Sequence, residues 1–146
     1  PGHTVTIKPN NGNPFFWIAH GQNKFLIIKG FIIDGKNTNT HGLKFEGSAK
    51  YVRVIDCEIK NSRLSGILVT GNTDTYHQFI NFNVHHNVLS KLYHGLYLTS
   101  GNNLIEKSQI HHNRGYGIHF YNGSSDAADY NIVRNNTLYD NTTAGQ

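Results

Sequence analysis

A chain of 146 residues, 37% hydrophobic and 15% charged, is long enough for one domain with its own core. Its net charge of +4 is scattered without a Lys/Arg run, which argues against a nucleic-acid binder. No apolar stretch approaches the roughly 18 residues of a membrane-spanning helix, and the modest hydropathy is not joined to the high net charge that marks disorder.

Asn occurs 19 times, Gly 15 and His 10, against 5 Ala and no Met. Helix formers are scarce and turn formers abundant, so a helical bundle is excluded. A chain opening on Pro1 and lacking Met is expected to be a processed or internal part of a longer protein. Residues 1–146 read as a single domain. Trp17, in the opening segment, is assigned to packing of the first coil. Cys57 sits in an apolar-alternating stretch with no basic neighbourhood, which predicts a buried structural thiol.

From residue 23 the chain can be written in rows. They begin NKFLIIKGFIIDG, AKYVRVIDCEIKN, YHQFINFNVHHN, NNLIEKSQIHHN and YNIVRNNTLYDN. One apolar column is Ile33, Ile59, Leu89, Ile110 and Leu138. A second is Ile28, Val54, Val84, Ile105 and Val133. A glycine column follows: Gly42, Gly66, Gly95, Gly117 and Gly145. After each of the first four glycines comes Leu43, Ile67, Leu96 or Ile118, and two further on Phe45, Val69, Leu98 or Phe120. This glycine-apolar-x-apolar pattern has the period of a strand. Each row therefore holds two or three short strands between Asn/Gly turns. One row cannot bury its apolar face alone, whereas parallel stacking of rows buries it. Hairpins would not repeat the same order and direction. Asn87, Ser108 and Asn136 are placed in one column, with Cys57 and Phe31 before them. Asn113 and Asn141 share another, with Asn61 one residue off. Asn suits turns and left-handed backbone, and stacked Asn can bond along an axis.

Units such as IEKSQIHHNRGYGIHF (105–120) and VRNNTLYDNTTAG (133–145), with the opening PGHTVTIKP and FLIIKGFIIDG, carry a family likeness. In them the chain resembles the right-handed parallel β-helix proteins of the pectate-lyase-like superfamily. The resemblance implies an all-β solenoid of about five to six coils. It also implies an extracellular or cell-surface protein that meets polysaccharide, with lysis of uronic-acid polymers as one activity. Calcium enters as a cofactor by the resemblance alone; the acidic clusters of the calcium-dependent lyases have no clear counterpart, Asp126 and Asp129 lying in one loop. The residues themselves call for no cofactor. Open coil ends offer a competing, non-catalytic role as an adhesive or filament module stacking end to end.

Outward residues of a solenoid form ladders with rungs about 4.8 Å apart. The position within the glycine motif gives Lys44, Leu68, Tyr97 and His119; the position before the glycine gives His41, Ser65, His94 and Tyr116. Both ladders flank one column, which predicts a shared surface. On it Lys44 would neutralise a uronate carboxylate, and His94, His119 or Tyr116 would take the C5 proton. Tyr97 and His41 would contact the sugar. A second outward face is assigned to Asp56, His86 and Lys107, with a salt-bridge ladder as its plainer reading. His85–His86 and His111–His112 invite a zinc reading. Adjacent strand residues point to opposite faces, and the pairs fall in different columns, so no metal ligand is assigned.

Overall fold

The computed structural model describes residues 4–18, 25–71, 75–89, 92–123 and 128–142. Gly145, Asp126 and parts of the row loops lie outside these residues. The described residues form sixteen short strands in three parallel sheets.

The first sheet holds β1 (Val5–Ile7), β4 (Phe31–Asp34), β7 (Glu58–Lys60), β10 (Asn83–His85), β13 (Gln109–His111) and β16 (Thr137–Tyr139). The second holds β2 (Phe16–Ile18), β5 (Leu43–Glu46), β8 (Ile67–Thr70), β11 (Leu96–Leu98) and β14 (Ile118–Phe120). The third holds β3 (Ile27–Lys29), β6 (Arg53–Ile55), β9 (Gln78–Ile80), β12 (Leu104–Glu106) and β15 (Ile132–Arg134). Each strand pairs with the strand three places on, always parallel, so the chain winds through about five coils of a three-sided prism.

The core is the inside of the prism. In the first sheet Ile33, Ile59, Val84 and Ile110 are in register and fully buried, with Leu138 on the next rung. Ile28, Val54, Phe79, Ile105 and Val133 line the third sheet. Leu43, Ile67, Leu96 and Ile118, with Phe45, Val69, Leu98 and Phe120, line the second. Burying each such side chain contributes about 1.5–3 kcal/mol, which the rows achieve only by stacking.

Two columns of the sequence reading are corrected here. Val84, not Leu89, continues Ile33 and Ile59, and Phe79 takes the place assigned to Val84. Leu89 is half exposed. Ile59 precedes Gly66 by seven residues and Ile110 precedes Gly117 by seven, but Val84 precedes Gly95 by eleven. The longer count falls between Asn87 and Gly95, so counting back from the glycine misses Val84.

The corners account for four of the asparagines. Asn61, His86, His112 and Asp140 occupy one corner column with positive φ, Asp56, Asn81, Lys107 and Asn135 another, and Tyr51, Tyr76, Asn102 and Tyr130 a third. A left-handed residue turns the chain between sheets, and Asn reaches it at low cost. Inside the coil a different ladder runs. The backbone N–H of Ser62 donates to Asn87 Oδ1 (2.9 Å), that of Asn87 to Asn113 Oδ1 (3.2 Å) and that of Asn113 to Asn141 Oδ1 (3.3 Å). Asn87 thus belongs with Asn113 and Asn141, while Phe82 stands with Cys57, Ser108 and Asn136. Cys57 is buried, and burial raises its thiol pKa, as a structural thiol requires.

Candidate functional site

The two predicted ladders of the second sheet do flank the glycine column. Trp17, Lys44, Leu68, Tyr97 and His119 follow one another on successive rungs. Beside them, the amides of Gly42, Gly66 and Gly95 donate to the carbonyls of Ser65, His94 and Tyr116. The glycines hold the rungs close: a Cβ on Gly95 would stand 2.6 Å from the Gly117 carbonyl oxygen.

At the upper rungs four predicted residues meet. The Tyr97 and His119 rings stack at 5.0 Å and 5°, and His94 stacks on Tyr116 at 5.0 Å and 26°. His94 Nε2 and His119 Nδ1 are 2.7 Å apart, with the rings crossed at 85°. The Tyr116 amide donates to His94 Nδ1 at 3.1 Å, which puts the His94 proton on Nε2. That proton is donated to His119 Nδ1, leaving His119 an Nε2–H donor. Burial, then the neighbouring His119, lowers the His94 pKa to about 4, and burial lowers that of His119. Both rings are neutral at pH 7. Neither Nδ1 is free to take a proton, so the pair is built to donate hydrogen bonds.

Tyr121, half exposed, stands across the Tyr97–His119 stack at 75° and 72°. The sequence reading missed it, although it continues the alternation one step past Phe120.

Lys44 lies elsewhere on the sheet. Leu68 separates it from Tyr97, its ammonium is 2.5 Å from Glu46, and it sits 4.9 Å over the Trp17 ring. Trp17 is 53% exposed and donates to Glu46, so it belongs to this surface rather than to first-coil packing. His41 is 6% exposed and packs edge-on against Tyr93. Burial, then Lys44, lowers its pKa to about 4. It is too enclosed to touch a polymer.

The second face is regrouped. Asp56 and Lys107 share a groove of about 460 Å³ with Glu58, Asn81 and Gln109. The Asp56 carboxylate accepts from Asn81 Nδ2 at 2.7 Å and has Lys29 at 3.5 Å. His86 is absent from this groove because Val84, not Leu89, sets the register. The histidine pairs are regrouped too: His85 is in register with His111, and His86 stacks on His112 at 5.1 Å. The signal was V-H-H-N at 84–87 against I-H-H-N at 110–113.

This succession of parallel rungs defines a β-solenoid. The right-handed β-helix region family model matches residues 16–146, and the chain belongs to that family, a membership compatible with the pectate-lyase-like superfamily. No curated protein and no solved structure matches the chain.

Proposed function

We propose that the surface around Tyr97, Tyr116, His119 and Tyr121 binds polysaccharide without turnover, outside the cell or at its surface. The observation that carries this reading is the His94–His119 hydrogen bond, which uses the lone pair a catalytic base would need. What remains is a row of phenols and one imidazole N–H on neutral rings. Such groups suit the hydroxyls of a glycan laid along the rungs, and ring faces left open by the stack suit its C–H surfaces. Lys44 is held by Glu46 two rungs below Tyr97, which removes the carboxylate-neutralising partner of the lyase reading.

The test is retention on immobilised alginate, pectate, glycosaminoglycans and neutral glucans, followed by calorimetry on the best ligand. Tyr97→Ala and His119→Ala should each weaken binding by about tenfold or more, and Lys44→Ala by less than about twofold. Retention of no glycan overturns the reading. Ultraviolet-absorbing unsaturated uronates would restore the lyase.

End-to-end stacking is favoured by one observation. Val133 and Leu138 continue columns that are buried below, yet are 44% and 48% exposed. A coil of a second copy would cover them. Concentration-dependent association abolished by Leu138→Lys supports a second copy; a monomer at every concentration counts against it.

A further inference from the structure

Four imidazoles line the first sheet and the corner that follows it, on a different side of the prism from the glycan surface. His85 and His111 are in register on β10 and β13, their rings stacked at 4.9 Å and 1°. His86 and His112 follow at the corner and stack at 5.1 Å and 8°. In an extended strand the two members of each pair would point to opposite faces. Here His86 and His112 have φ of 52°, and the left-handed turn swings each ring back beside its neighbour. The result is the same on both rungs: Nδ1 of His85 is 2.7 Å from Nδ1 of His86, and Nδ1 of His111 is 2.7 Å from Nδ1 of His112.

We infer that each His–His pair is a bidentate chelate for a divalent transition-metal ion of the Cu(II) or Ni(II) kind. Two nitrogens at about 2.0 Å from one ion are about 2.8 Å apart when they subtend a right angle, and about 3.3 Å when tetrahedral. One N–H···N bond joins each pair in the unbound chain, and its 2.7 Å spacing is already close to that of a right-angled chelate, which square-planar ions prefer and zinc does not. Carboxylates stand behind the pairs: Glu58 accepts from His85 Nε2 at 3.0 Å, and Asp140 lies 3.6 Å from His112 Nε2. The Glu58 bond keeps the His85 proton on Nε2 and leaves Nδ1 as the ligand, the usual support of a metal-bound histidine, while Asp140 offers His112 a nearby charge without a hydrogen bond. The partner ring must move its Nδ1 proton to its own Nε2, so no proton leaves while both rings are neutral. No three His, Cys, Asp or Glu side chains converge at ligating distance among the described residues, so the unit is the pair, and water completes the sphere. Two dications one rung apart would repel, so one ion binds first.

The test titrates the untagged chain with CuCl2 and with NiCl2 by calorimetry, with electron paramagnetic resonance of the copper form. Asn61 occupies the same corner column with φ of 56°, so His86→Asn and His112→Asn suit the turn. Copper should bind with nitrogen couplings in its spectrum. Each single variant should bind within about threefold of the wild type, and the double variant at least about tenfold more weakly. Substoichiometric Cu(II) should also broaden the NMR signals of these four histidines in the unaltered chain, a readout that needs no variant. Absence of binding, a double variant that binds as the wild type does, or broadening confined to other residues overturns the assignment.

Discussion

His94 and His119 come from different coils, yet Nε2 of the first lies 2.7 Å from Nδ1 of the second. One proton fills that gap and the Tyr116 amide occupies His94 Nδ1, so a further proton on His94 Nδ1 or His119 Nδ1 would set two N–H groups against each other.

This has a consequence for stability. His94 is one of three histidines held near 4 against an ordinary 6.5. Burial does this to His77; burial and Lys44 do it to His41; burial and His119 do it to His94. The unfolded chain takes up protons around pH 6.5 that the folded chain refuses until about pH 4. Unfolding near pH 5 therefore binds protons, and stability falls as pH drops through this window. The expected uptake is about three protons or more, since burial lowers His85, His111 and His119 in the same direction, and it is read from the slope of unfolding free energy against pH in urea melts. A flat profile between pH 7 and 4.5 would refute it. Asp56, held down mainly by its Asn81 hydrogen bond, adds a loss of the same sign only below its ordinary 3.8.

The Asn ladder makes a second prediction. Asn113 is 1% exposed; its Oδ1 takes the Asn87 amide and its Nδ2 donates to the Val84 carbonyl at 3.1 Å. Asn113→Ala leaves a buried donor and a buried acceptor unmet. The expected cost is about 2–4 kcal/mol, measured as a shift of the urea midpoint with little change of slope. Asn135→Ala, at an exposed corner, removes no such pair and should cost less; equal losses would show that the ladder contributes nothing of its own.

A third concerns the glycine column. Gly95 has no unusual φ; the space around it is the constraint. An added methyl would meet the Gly117 carbonyl oxygen at 2.6 Å and Asn113 Nδ2 at 2.8 Å. Gly95→Ala should destabilise by about 1–3 kcal/mol in thermal or urea unfolding, because backbone on the next rung must shift. Gly30→Ala has open space around its Cβ and pays only for its φ of 77°. A Gly95→Ala chain as stable as the wild type would mean that adjacent rungs slide freely.

The repeat was legible because burial acts at every rung. Apolar residues at Ile33, Ile59 and Ile110, glycines before each inward strand and Asn near the turns are each needed once per coil. Those needs wrote the parallel stack, and the ladders around His94 and His119, into the primary structure. Register through the third row was not legible. Eleven residues part Val84 from Gly95 where seven part Ile59 from Gly66, so alignment on the glycines passes over the V-H-H-N and I-H-H-N match, and the backbone pairing of Val84 with Ile59 decides the register. The same blindness hid the histidine pairs. Strand alternation sends adjacent side chains apart, and a positive φ at His86 and His112 reverses that rule through a turn that depends on the coil above and below. Hydrogen-bond state, too, belonged to the folded chain alone. Whether His94 is base or donor depends on a backbone amide from Tyr116, brought to it across 22 residues by coiling rather than by any local pattern.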